Sequence, residues 1–204
     1  MKNKLLKGIV ASFTLAVSGF ANAGLIEVNP STNGAGCCSG TERGYWFETP
    51  EELTFTSFWL NTSVGLSTNY NLDILLFNNT PPEWTGNTTD YVTLGTWDSL
   101  SGILNANITV AENSFIGLLA WDVNLSSTPY STPFSQDING ESVSFTRLIR
   151  QSLTNGAPVS SETGGPIGAI GFTANSVEVP EPSTLAVFAL GLMGLASRKF
   201  KKQV

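Results

Sequence analysis

The side chains able to do chemistry in this 204-residue chain are few in kind and unevenly placed. There is no histidine, which excludes a Ser-His-Asp triad, a Cys-His pair and any histidine-ligated metal centre. The two cysteines, Cys37 and Cys38, are adjacent. Adjacent cysteines close only a strained ring, far from ordinary disulfide geometry. Three readings stay open for them: a vicinal disulfide stiffening the loop around Gly36, Ser39 and Gly40, a pair of reduced thiols, or bridges between chains. A metal would need further ligands that the sequence does not supply nearby.

Carboxylates are the plentiful reactive group. A glycosidase needs two of them facing each other roughly 5 to 10 Å apart, but no pattern selects a pair. A G-x-S-x-G elbow, a phosphate loop and a metal motif are all missing, so the chain reads as a non-enzyme. Asn69, Asn71 and Asp73 alternate and would share one face of an extended segment; Asp90, Asp98, Asp122 and Asp137 fall in or beside loops. Calcium takes six to eight oxygens from several segments, and without an ordered Asp/Gly loop the acidic residues read as solvated surface. No cofactor is expected, with calcium the candidate if one binds. Trp46, Trp84 and Trp121 are candidate carbohydrate contacts, since flat rings stack on sugar faces. Aromatic residues also fill sandwich cores, and burial competes with that role.

Both ends carry targeting chemistry. Lys2, Lys4 and Lys7 precede an apolar run over residues 9–17, and Ala21-Asn22-Ala23 forms an A-x-A site. That is a secretory signal peptide over residues 1–23, read by signal peptidase through Ala21 and Ala23, so that the mature chain begins near Gly24. At the other end Pro180-Glu181-Pro182 is followed by an apolar run over residues 185–196, then by Arg198, Lys199, Lys201 and Lys202. The prolines fix φ and keep the box extended and readable. The cations resist translocation, so the apolar run would act as a transmembrane helix with the preceding chain outside. The run is shorter than the roughly 20 residues a bilayer asks for.

This order of box, short span and basic end resembles the PEP-CTERM sorting signal of Gram-negative bacteria that make exopolysaccharide. The resemblance implies that Pro180, Glu181 and Pro182 are read by an exosortase, an integral-membrane transpeptidase that removes the tail over residues 179–204. It further implies an inner-membrane precursor, then a cell-surface or matrix protein among exopolysaccharide.

Between the signals, residues 24–178 make one domain's worth of chain. All six lysines lie in the signals, which leaves Arg43, Arg147 and Arg150 against fifteen carboxylates and a net charge of −12. So acidic a body repels nucleic acid and anionic lipid. Its patterning predicts strands. Leu53, Phe55 and Trp59 share one parity, which argues one buried face, and Phe58 and Leu60 suggest partial cover of the other. Further strands are predicted over residues 24–28, 71–77, 91–95, 108–110, 115–122, 143–149 and 167–173. Helical periodicity with caps is missing. The expected fold is an all-β antiparallel sandwich with jelly-roll-like connections, flanked by a signal helix and a C-terminal transmembrane helix.

The segments RGYWFETPEELTFTSFWL, IGLLAW, PYSTPF and VSFTRL are similar to a recurring β-rich body found ahead of PEP-CTERM tails, opened by G-Y-W-F-x-x-P. That resemblance implies the fold and no reaction. The expected role of the body is structural or adhesive, with a calcium-assisted carbohydrate-binding module as the alternative.

Overall fold

Alternating β-branched and aromatic residues, punctuated by Asn, Gly, Ser and Pro, divide the body into short strands. In the computed structural model, which describes residues 24–34, 36 and 38–176, there are fifteen. They are β1 (Leu25–Val28), β2 (Glu42–Glu48), β3 (Leu53–Thr62), β4 (Gly65–Leu66), β5 (Tyr70–Phe77), β6 (Tyr91–Leu100), β7 (Leu104–Val110) and β8 (Phe115–Asp122). β9 (Tyr130–Ser131), β10 (Ser135–Ile138), β11 (Glu141–Ser144), β12 (Thr146–Arg150), β13 (Val159–Glu162), β14 (Ile167–Gly168) and β15 (Ile170–Ser176) follow. Among the described residues there is no helix, and every strand ladder is antiparallel. The expected signal helix and transmembrane helix lie outside the described residues.

Two sheets carry the architecture. One runs β1-β15-β3-β4, with β7 also beside β3; the other runs β13-β12-β2-β8-β5-β6. The chain changes sheet repeatedly, from β2 to β3, β6 to β7 and β7 to β8, so sequence neighbours face each other across the core. Period-two alternation then buries one parity of each strand. Tyr45 and Phe47, Leu72 and Ile74, and Ile116 and Leu118 meet Leu53, Phe55, Phe58, Leu60 and Phe172 in one cluster. Its centre is aromatic. The Phe172 ring lies 5.7 Å from Phe47 and 5.2 Å from Phe55, and Phe145 lies 5.1 Å from Phe47. Each fully buried ring contributes about 1.5–3 kcal/mol relative to exposure. Tyr45 is wholly buried and donates its hydroxyl to Ile170 O at 2.7 Å.

One expectation needs correcting. Trp59 does not share a face with Leu53 and Phe55. The registers of β3 with β7 and with β15 both slip at Thr56, so that Phe55 and Ser57 pair with consecutive residues Ala174 and Thr173. Such a bulge adds one residue and reverses the parity beyond it. Leu53, Phe55, Phe58 and Leu60 therefore all point inward, and Trp59 packs outward over Gly171, where a Cβ would lie 2.2 Å from the indole.

The six-stranded sheet is apolar on its second face as well. Leu75, Phe77, Leu119, Leu148 and Val159 form a smaller cluster there, with Trp46, Tyr91 and Phe115 against it. Residues 78–90, between β5 and β6, run to the free edge of β13. Ser161 N donates to Pro82 O at 2.7 Å, Trp84 N to Ser161 O at 2.8 Å, and Thr88 and Val159 exchange bonds of 2.8 and 2.9 Å.

Strand lengths depart from the expectation where sequence is polar or broken. β6 and β7 run well beyond residues 91–95 and 108–110. The single strand expected over residues 143–149 is two strands, β11 and β12, parted at the buried Phe145, and residues 167–173 are parted at Ala169.

Candidate functional site

The outer face of the six-stranded sheet holds the most concentrated charge. Glu42 of β2 sits directly opposite Arg150 of β12, and Asp73 of β5 lies on the same face two strands away. All three are buried, at 4%, 0% and 3% exposure. Arg150 Nη1 donates to Glu42 Oε2 at 2.5 Å and also to Asp73 Oδ2. Arg150 Nε and Nη2 are buried with no acceptor among the described residues. Burial pushes the Glu42 carboxyl up to about 7, although Arg150 pulls the other way. Burial alone lowers the basicity of Arg150, but Glu42 and Asp73 outweigh it and the net shift is upward.

Two close carboxylates, one titrating near neutrality, are the raw material of acid–base chemistry. Here an arginine bridges them and the protein covers them. Neither oxygen pair faces open space, so the cluster acts as an electrostatic bolt joining β2, β5 and β12. The other two arginines are also used internally. Arg43 donates from Nη1 to Glu42 O at 2.8 Å and Arg150 O at 3.1 Å, and burial lowers its basicity. Arg147 pairs with Glu162 at 2.6 Å. Among the described residues every cation is thus engaged inside the fold, while the carboxylates other than Glu42, Asp73 and Asp122 are not buried.

An open cleft of about 420 Å³ lies elsewhere, lined by residues 133–135, 144–147 and 163–165. Its floor is Phe134, whose ring sits 4.7 Å from that of Phe145. Ser135 and Ser144, opposite each other where β10 begins and β11 ends, share a 3.0 Å hydrogen bond. Arg147 forms one wall, bonded through Nη2 to Tyr130 Oη at 3.2 Å and lying 5.4 Å above that ring. The facing turn passes so close that a Cβ on Gly165 would come within 2.7 Å of Arg147 Nη1. Thr163 on this rim donates its hydroxyl to Glu83 Oε1.

The candidate residues read from sequence fall in different places. Trp84 is 50% exposed, one residue along from Glu83. Trp121 is 7% exposed, and Trp46 is half-buried, edge-on to Phe115 at 6.1 Å with its indole nitrogen enclosed and without an acceptor among the described residues. Trp84 alone of the three offers an open ring. Asn71 and Asp73 share the outer face as alternation requires, but Asn71 Oδ1 accepts from Ser99 N at 3.0 Å and Asp73 is held by Arg150. Asn69, before the strand, has a buried Oδ1 with no partner among the described residues. Among the described residues no group of three or more His, Cys, Asp and Glu is placed to hold a metal. Cys38 is disulfide-bonded and has φ 74°, a left-handed conformation costly for a residue with a Cβ. Cys37, Ala21, Ala23 and the box Pro180, Glu181 and Pro182 lie outside the described residues.

Neither the Arg150 bolt nor the cleft was singled out from sequence. The bolt did leave a signal: three arginines without any lysine, two of them inside the apolar strand Arg147-Leu148-Ile149-Arg150, are cations placed where strands bury side chains.

No curated protein matches this chain. Residues 178–202 match the family model of the PEP-CTERM protein-sorting motif. The chain thus carries the PEP-CTERM sorting motif, which indicates an exported precursor sorted to the cell surface with exosortase processing.

Proposed function

We propose that the body is a non-enzymatic structural or adhesive component of the cell surface or the exopolysaccharide matrix, released there when the tail is removed at the Pro180-Glu181-Pro182 box. The observation that carries this reading is the internal use of all three body arginines, which leaves a lysine-free outer surface of carboxylates, Ser, Thr and Asn. Such a surface stays hydrated and repels polyanions, and so resists collapse onto nucleic acid and anionic lipid in a crowded matrix. Among the described residues, the close acidic pair with a raised carboxyl is bolted by Arg150, which favours scaffold over catalyst.

Intact mass spectrometry of the protein from membranes and from the extracellular matrix of its producing cells tests the reading. The matrix species should lack residues 1–23 and the segment beyond the box. A full-length C-terminus confined to membranes would sink the matrix role. Release of reducing sugar from matrix polysaccharide by the pure protein would sink the non-enzymatic one.

A further inference from the structure

We propose that the cleft between Phe134 and Gly165 is a binding subsite for a neutral pyranose ring of a polysaccharide. This rests on the adhesive reading above and gives it a ligand class and a place. The cleft's volume, about 420 Å³, lies in the range of small-ligand pockets. Its lining divides by chemistry. Pro133 and Phe134 line it with apolar side chains backed by the buried Phe145, while Ser135, Ser144, Thr146 and Thr163 bring hydroxyls to the lining. A pyranose has the matching division, with C–H groups on its ring faces and hydroxyls around its rim. Hydroxyl side chains donate and accept equally well, so they suit a ligand whose groups do the same.

Charge narrows the class. In a body of net charge −12, no carboxylate lines this cleft. The one cation that does, Arg147, is already neutralised by Glu162 at 2.6 Å. The cleft therefore has no spare positive charge for an acidic sugar, and the surrounding carboxylates repel one. Arg147 also donates to Tyr130, which fixes its fork in place before any ligand arrives. Gly165 permits this arrangement, since a side chain there would strike Arg147. The rim continues toward Trp84 through the bond from Thr163 to Glu83, but the subsite itself is the Phe134 floor.

Affinity electrophoresis of the protein recovered from its producing cells tests this, in native gels containing hydroxyethyl cellulose, galactomannan or polygalacturonate. Wild-type protein should be retarded at least twofold by a neutral polymer and not by polygalacturonate. Ser144→Phe fills the cleft from an exposed position, and Phe134→Leu removes the flat floor while keeping it apolar; each should abolish the retardation. Near-UV circular dichroism checks folding, and Ser135→Tyr replaces Ser144→Phe if that variant unfolds. Retardation by polygalacturonate alone overturns the ligand class. Retardation that survives Ser144→Phe but disappears with Trp84→Ala overturns the location. Indifference to both neutral polymers overturns the proposal, while a processed body in the matrix fraction would leave the structural reading standing.

Discussion

Arg147 and Arg150 stand three residues apart on one strand and lead opposite lives. An odd separation along a pleated strand sends them to opposite faces of the sheet. Arg150 reaches the outer face, where Glu42 and Asp73 close on it and the side chain is fully buried. Arg147 meets the wall of an open cleft and a carboxylate, Glu162, whose side chain is 41% exposed. The same guanidinium is thus a bolt in one place and a positioned wall in the other. Burial of the partner decides which, because an ion pair in water is worth little while a broken buried pair is costly.

Three experiments sharpen that contrast. The largest effect belongs to Arg150→Met, which strands Glu42 and Asp73 inside the protein. A loss of about 3–5 kcal/mol is expected, read as a drop in urea midpoint; a loss below about 1 kcal/mol would mean that the carboxylates escape to solvent.

Next comes pH. Glu42 holds its proton to about 7 in the folded protein but only to its ordinary 4.5 when unfolded. Between those values the folded state binds more protons, so this group's contribution is complete below pH 4.5 and is lost as pH rises through 7. The contribution is about 3 kcal/mol. The difference in stability between wild type and Glu42→Gln, followed from pH 4 to 8, should carry that slope, since Gln does not titrate. A flat difference would place Glu42 in water rather than in the bolt.

The smallest effect belongs to Glu162→Gln. With its partly exposed carboxylate screened by solvent, the pair with Arg147 should contribute no more than about 1 kcal/mol. A cost comparable to that of Arg150→Met would erase the distinction between the two arginines.

The fold was largely legible because hydrophobic alternation is local. Leu53 and Phe55 on one strand, and the apolar run of β8, announce themselves without knowledge of neighbours. The Thr56 bulge was not legible, since it is a relation between three strands, and it moved Trp59 to the other face. β6 was read short because its Thr, Gly and Asp residues are those of a half-exposed edge strand, where burial no longer imposes a pattern. The site was less legible still. The bolt joins residues 42, 73 and 150, and the cleft joins residues 134, 144 and 165. Only the sheet order brings either set together. The sorting tail lies at the other extreme, a linear signal read by another protein, and its residues needed no fold to be recognised.

The placement of the arginines also bears on survival outside the cell. A protease that cuts after lysine or arginine finds no lysine from residue 8 to residue 198, and the three arginines of the body lie within strands with their side chains enclosed or paired. Cleavage needs an extended, accessible segment of about the length of a strand, so such an enzyme must wait for the sheet itself to open. The body is accordingly armoured against trypsin-like digestion by where its few cations sit, and the same scarcity leaves it no lysine amine to be tethered to its neighbours.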